Sequence, residues 1–238
     1  MRTTYFSLLF MLFCLVTIQA QESKFDFGIN LYPSYSFGMM SNDGSTPGSV
    51  QNGFSNIERG KPSISGNLFV EYKLNTKSAI GFGLGYQNNG QRTKKMDLIF
   101  NVDPVLGIQE NDPDQPTEGQ FIYNHHNLEI PVYYKYKFKN QFYILLGVSG
   151  IINISNTTTS KLFYADGTKE REVNEDNSTD FRTFNVFGNL GFGMDYLNTD
   201  KITLFVHPYV QMGVLGVSKN ASLNRNILSL GISTGIRI

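Results

Sequence analysis

Three features of this chain together predict an all-β fold. Apolar and polar residues alternate over eight segments, charge is scarce while glycine and aromatics are abundant, and short and long connections take turns between the segments. The fold class they specify is an eight-stranded antiparallel up-and-down transmembrane β-barrel. A period of two marks a strand with two unlike faces. Charged residues make up 17% of the 238, against 23 Gly, 13 Tyr and 19 Phe. That balance suits a membrane-embedded β chain better than a cytosolic enzyme. The formal net charge is zero, which argues against a nucleic-acid partner.

The first twenty residues differ in kind. Arg2 is their only charge, residues 5–18 are nearly all apolar, and Ala20 precedes a polar stretch. Residues 1–20 therefore read as a signal peptide and 21–238 as the barrel domain. The lone Cys14 lies inside the apolar run behind the bulky Phe13, which speaks against a lipid anchor. The mature chain is then expected to carry no disulfide and no thiol chemistry. It has no second long apolar run, and lipid admits only helices and closed sheets.

The strands follow in order. Residues 25–39 place Phe25, Phe27, Ile29, Leu31, Pro33, Tyr35, Phe37 and Met39 on one face and Asp26, Gly28, Asn30 and Ser34 on the other. Residues 62–74 set Ile64, Leu68, Val70, Tyr72 and Leu74 against Ser63, Ser65, Asn67, Glu71 and Lys73. Residues 78–91 set Ile80, Phe82, Leu84 and Tyr86 against Ala79, Gly81, Gly83 and Gly85. Those glycines would weaken an ordinary strand, but inside a narrow barrel they leave room for large neighbours such as Tyr133. The fourth and fifth strands form a hairpin from near Phe121 to near Ser155. It turns at Lys139-Asn140, with Leu128, Ile130, Val132, Tyr134, Tyr136 and Phe138 on its apolar face. Residues 181–197, 201–215 and 226–238 supply the last three, with Phe192, Leu204 and Leu230 among their outward residues.

Connections after the second, fourth and sixth strands are tight turns. Those after the first, third, fifth and seventh (residues 40–60, 92–120, 156–180 and 216–225) are long and polar, and read as loops. Short periplasmic turns and long external loops mark an outer-membrane barrel with both termini periplasmic. A soluble lipocalin-like barrel would bury the apolar face, which is too aromatic and continuous to fill so small a lumen. Pro33, Pro131 and Pro208 fall inside strands, where each removes a ladder donor, and are expected to mark bulges or bends.

The run Asn127-Leu128-Glu129-Ile130-Pro131-Val132-Tyr133-Tyr134-Lys135-Tyr136, with glycine-rich strands such as Gly81-Phe82-Gly83-Leu84-Gly85-Tyr86 and Gly191-Phe192-Gly193, resembles a Bacteroidota outer-membrane β-barrel domain family. That family includes PorT-like proteins and is similar to eight-stranded barrels of the OmpA and OmpX kind. The resemblance covers the mature chain. It implies no known activity for most members, and for PorT-like ones a link to type IX secretion.

The inward set includes Glu71, Lys73, Glu129, Lys135, Lys137, Asp195, His207 and Arg237. Unpaired buried charge is costly, so these are expected to form a structural ion network that plugs the lumen rather than a catalytic site or channel. His125 and His126 are neighbours in a strand and point to opposite faces, so they are not expected to share a metal. Some outer-membrane barrels modify lipid A with a His and a Ser two residues apart. No His here has that spacing, and an enzyme is not expected. No cofactor or metal site is expected either. Acidic residues in the second loop (Asp103, Glu110, Asp112, Asp114, Glu118) and third (Asp166, Glu170, Glu172, Glu175, Asp176, Asp180) match no Ca²⁺ loop spacing. The second loop also holds an apolar set, Met96, Leu98, Ile99, Phe100, Val102, Val105, Leu106 and Ile108. It reads as a hairpin continuing beyond the membrane with Asp103-Pro104 near its tip. The expectation is a monomeric structural or interaction protein contacting outer-membrane lipid and lipopolysaccharide, with residues 94–118 as the element that meets a protein partner. A component of a secretion or envelope-assembly machine is the alternative, and a lipid-modifying enzyme a distant one.

Overall fold

The computed structural model describes residues 24–99, 115–176, 178–219 and 222–238. The expected signal peptide, Cys14, the apolar residues from Phe100 to Ile108, the acidic residues from Asp103 to Asp114 and the Asp103-Pro104 tip lie outside them.

In chain order the elements are β1 (Phe25–Asn42), α1 (Gly48–Ile57), β2 (Glu58–Arg59), β3 (Lys61–Lys73), β4 (Ser78–Thr93), β5 (Met96–Asp97), β6 (Glu118–Lys137), β7 (Phe142–Phe163), β8 (Lys169–Glu175), β9 (Phe184–Asn198), β10 (Thr203–Gly213) and β11 (Leu223–Arg237). Eight of them, β1, β3, β4, β6, β7, β9, β10 and β11, pair antiparallel in that order. β11 returns to β1, where Gly28 lies opposite Arg237 and Phe27 and Ile238 exchange two backbone hydrogen bonds of 2.8 Å. The ring leaves no free strand edge within its wall, the condition that lipid imposes.

The period-two pattern settles which face is which. Leu31, Leu68, Leu84, Val148, Leu190 and Ile232 are among the exposed large apolar residues on the outer wall, while Ser36, Glu71, Gln87, Glu129, Ser149 and Arg237 are buried inside. An apolar exterior around a polar interior is the inverse of a soluble barrel. The inward glycines act as expected. Gly81 pairs with Tyr133 and Gly193 with Tyr143, and in each case the tyrosine ring fills the space that a Cβ would need.

The prolines behave differently from expectation. Each sits where one ladder lapses over two residues and resumes with unchanged register. β1–β11 pairing skips from Leu31↔Thr234 to Ser34↔Gly231 beside Pro33. β4–β6 skips from Phe82↔Val132 to Gly85↔Glu129 beside Pro131, and β9–β10 from Val206↔Met194 to Tyr209↔Gly191 beside Pro208. A missing N–H removes a bond without adding a residue, so nothing slips. The register shifts lie elsewhere, at Ile154 in β7 and Tyr196 in β9, each passed over by the partner strand.

All four of the expected loops are partly regular. The first contains α1 and β2. The third is mostly a hairpin: β7 runs on to Phe163 and β8 pairs back along it from Thr157↔Glu175 to Phe163↔Lys169. Its threonine-rich run, Thr157-Thr158-Thr159, is polar but β-branched, and branching rather than polarity decides strand formation here. Gly167, at φ +87°, makes the turn. β11 begins at Leu223, inside the segment read as the fourth loop. The second connection does begin as an extended hairpin, with Met96↔Gly119 and Asp97↔Glu118 joining β5 to β6.

Candidate functional site

The lumen is filled in three layers. Nearest the short turns lies an ion network centred on Arg237, which is 5% exposed. Its guanidinium donates to Glu71 Oε2 and Asp195 Oδ2, both at 2.9 Å, and lies 3.7 Å from Asp26. Glu71 also accepts from Lys135 at 2.5 Å and from the Tyr133 hydroxyl at 3.0 Å. Asp195 accepts from Lys137 at 2.8 Å, and Lys73 pairs with Asp26 at 2.6 Å on the rim. Three carboxylates face four bases, one positive charge in excess. Within β3, β6, β9 and β11 the alternation that sends aliphatic residues outward sends these groups to one shared height inside.

The middle layer departs from the expected network. Glu129, 3% exposed, has no base within ion-pair distance among the described residues. It accepts instead from the Tyr32 hydroxyl, from Ser149 Oγ at 2.7 Å and from Gln211 Nε2 at 2.8 Å. Neutral donors replace a salt bridge because β7 beside it presents Ser149, and β1 and β10 across the lumen present Tyr32 and Gln211, while Lys135 lies six residues down its own strand. Between Glu129 and the ion network is a cavity of about 70 Å³. The unpartnered Asn67 Oδ1, Asn189 Oδ1 and Ser233 Oγ line it, and it has room for a few waters. His207 is held here too, its Nδ1 3.1 Å from the Tyr143 hydroxyl and its ring stacked on Phe205.

The third layer is amide-rich. Gln87 donates to Gln211 at 2.6 Å and accepts from Asn89 at 2.9 Å. His125 Nδ1 meets Asn156 Oδ1 at 2.7 Å. Lys61 donates to Ser63 Oγ at 3.0 Å and Asn88 Oδ1 at 2.7 Å and has no carboxylate partner among the described residues. Beside these amides Ile151, Phe187 and Ile227 form a small apolar cluster. Sequence reasoning missed these three, together with Phe69, Tyr143 and Phe205. Strand parity was the signal, since each falls on the inward phase of its strand. His125 and His126 do point to opposite faces: His126 lies outside, 2.5 Å from the Tyr86 hydroxyl. No group of three or more metal-ligating side chains converges among the described residues.

Outside the wall, β5, β6, β7 and β8 continue as a four-stranded sheet. Lys95 pairs with Glu118 at its base. At its tip, Thr168 donates to Asp166 through N–H and hydroxyl at 2.8 and 2.7 Å, bonds that hold this carboxyl below its ordinary range. The loop-three acids Glu170, Glu172 and Glu175 lie along β8, where every residue is exposed.

A closed ring with a polar, packed interior and an apolar exterior defines an integral membrane β-barrel. Residues 19–212 match the outer membrane protein beta-barrel domain family, and the chain belongs to that family. Its place is the outer membrane. No curated protein matches the chain. Among solved structures it is similar to the Neisserial surface protein A, at 12% identity over 91% of this chain and 97% of that one, TM-score 0.42. It is also similar to the attachment invasion locus protein Ail of Yersinia pestis, at 11% identity over 90% and 98%, TM-score 0.33. A third is the outer membrane protease OmpT from Escherichia coli, at 8% identity over 90% and 95%, TM-score 0.39. Likeness at this level says nothing of activity.

Proposed function

We propose that the chain is a non-enzymatic barrel whose wall serves as a rigid, sealed mount for an external binding platform, with the short turns and both termini periplasmic. The observation that carries this reading is the β5–β8 sheet. Strands with charged and threonine-rich sequences stay paired well past the apolar band, so the molecule holds in fixed shape a surface that the membrane does not need. Loops and extensions on a rigid scaffold are the usual seat of binding. The lumen supports the same reading, since layers of paired and hydrogen-bonded groups from the described residues fill much of it. Residues 94–118 and the β7–β8 hairpin together form the proposed contact for a protein partner, and the outer wall meets lipid and lipopolysaccharide.

The test is co-purification from native membranes, with and without residues 161–175 replaced by a short Gly-Ser linker. Loss of a partner from a shortened barrel that still folds supports the platform, and full retention removes it. A second reading, that the barrel is part of a secretion or envelope-assembly machine of the PorT-like kind, draws on the resemblance of the run at residues 127–136 and on the same platform. A stoichiometric multi-subunit complex in that experiment favours it.

A further inference from the structure

Arg59 of β2 and Arg92 of β4 lie directly opposite each other, so their side chains share a face, and that face is the outer one. Like charges directly opposite are unfavourable in a sheet. Neither arginine has a carboxylate within ion-pair distance among the described residues. Arg59 donates to the backbone carbonyl of Glu58 at 2.6 Å, and Arg92 to the Tyr35 hydroxyl at 3.3 Å. Glu58, the nearest acid in sequence, turns inward and is taken by Arg225 at 2.6 Å. Beneath the pair, the rings of Tyr35 and Phe37 pack edge to face at 5.1 Å over Gly60, where a Cβ would stand 2.3 Å from the Tyr35 ring. Tyrosine at this height on the outward face belongs to the aromatic girdle, at the level of lipid headgroups.

Lower on the same stretch of wall is a shallow, open groove of about 450 Å³ lined by Leu31, Ile64, Gly66, Leu68, Leu84 and Tyr86. Gly66 lies in its floor, an outward position without a side chain of its own, and Leu31 leans against it, its Cδ2 2.9 Å from where a Cβ would stand. From Gly66 to Arg59 is seven residues, roughly 23 Å along the strand at ~3.3 Å each. Allowing for strand tilt, that is close to the depth of one leaflet, about half of a ~30 Å hydrocarbon core.

We infer that this strip of wall binds a phosphomonoester lipid of the adjoining leaflet, its phosphate between Arg59 and Arg92 and an acyl chain in the Gly66 groove. Guanidinium groups match phosphate oxygens in bidentate geometry. A phosphomonoester carries about −1.5 to −2 charges, which answers two arginines better than the single charge of a phosphodiester. The bound phosphate also removes the repulsion that the bare pair suffers. This deepens the lipid contact proposed above by naming its chemistry and place.

The test is native mass spectrometry of the full barrel in neutral detergent, with dioleoyl phosphatidic acid as the probe. Wild type should retain one lipid, and Arg59→Ala/Arg92→Ala should bind it about tenfold more weakly or worse, as loss of charge-assisted bidentate contacts requires. A charge-matched control at the other rim, Lys77→Ala/Lys139→Ala, should bind as wild type does. Dioleoyl phosphatidylcholine, dihexanoyl phosphatidic acid and inorganic phosphate should not compete at equal concentration. Each folded variant is recognised by its heat-shifted migration on gels. If the alanine pair does not fold, Arg92→Gln alone is read in its place. Equal affinity in the arginine variant, equal loss in the control, or competition by inorganic phosphate (an adventitious anion only) overturns the inference. The measurement does not depend on which way the barrel faces in the cell or on any protein partner, so its failure leaves the platform reading intact.

Discussion

Gly81 and Tyr133 face each other across the β4–β6 ladder so closely that a Cβ on Gly81 would stand 2.1 Å from Tyr133 Cζ. Gly81→Ala therefore forces the ring to move in a packed lumen. The expected cost is about 1–3 kcal/mol, read as a lower urea midpoint for unfolding from lipid. Tyr133→Phe/Gly81→Ala should not restore stability, because removing the hydroxyl leaves ring atoms Cζ and Cε2 at 2.1 and 2.3 Å from the added Cβ.

On the opposite face of β4, Leu84 is exposed near mid-strand. Arg at this position should cost roughly 2–4 kcal/mol in the same assay, through contact with hydrocarbon rather than crowding. If Leu84→Arg folds as well as wild type, the assignment of faces is wrong.

Ring closure predicts resistance to detergent. With every wall strand paired on both sides, unboiled and boiled samples should migrate differently on SDS gels. In planar bilayers the same protein should show no steady conductance of porin size, because eight strands enclose only enough space for side chains and the three layers occupy it.

Arg237 and Glu129 should respond in opposite ways to loss of charge. Arg237→Met leaves Glu71 and Asp195 each short of a base and should destabilise the barrel by about 3–5 kcal/mol. Glu129→Gln removes a carboxylate that no base balances and keeps an acceptor for Ser149 and Gln211. Its expected effect is within about 1 kcal/mol, measured by the same urea titration.

The proposed orientation is open to labelling, because the sequence has a single Cys, Cys14. Asp166→Cys at the β7–β8 turn should react with a membrane-impermeant maleimide on whole cells. Asn140→Cys at a short turn should react only after lysis. The reverse pattern would invert the barrel.

The wall was legible because each strand obeys one rule over many residues, and a single slip would have exposed Glu71 or Arg237 to lipid. The regular structure in the connections was not. Thr157-Thr158-Thr159 has no apolar alternation, because that part of β7 has no lipid to face, so the only remaining signal was branching at Cβ. Helix α1 carries Gly48 and Gly53 and buries none of its residues, which left nothing periodic to read. Within the lumen, sequence revealed which residues point inward but not their heights. Pairing Glu129 with a base and missing its actual donors, Tyr32, Ser149 and Gln211, both follow from that. The opposed arginines were equally hidden, since β2 is two residues long and Arg59 meets Arg92 only through the fold.

The seam between β1 and β11 has a consequence for assembly. Arg237, opposite Gly28 on that seam, serves carboxylates on β3 and β9 that were synthesised well before it. Until the final strand of the ring docks, Glu71 and Asp195 each lack one of their bases while facing an unfinished interior. An incomplete barrel thus carries its own chemical mark of incompleteness, and the step that closes the wall also erases it. Covalent order and electrostatic order coincide, so a barrel truncated before β11 is expected to be left open to lipid on one side and charged within, a species poorly suited to remain in the membrane.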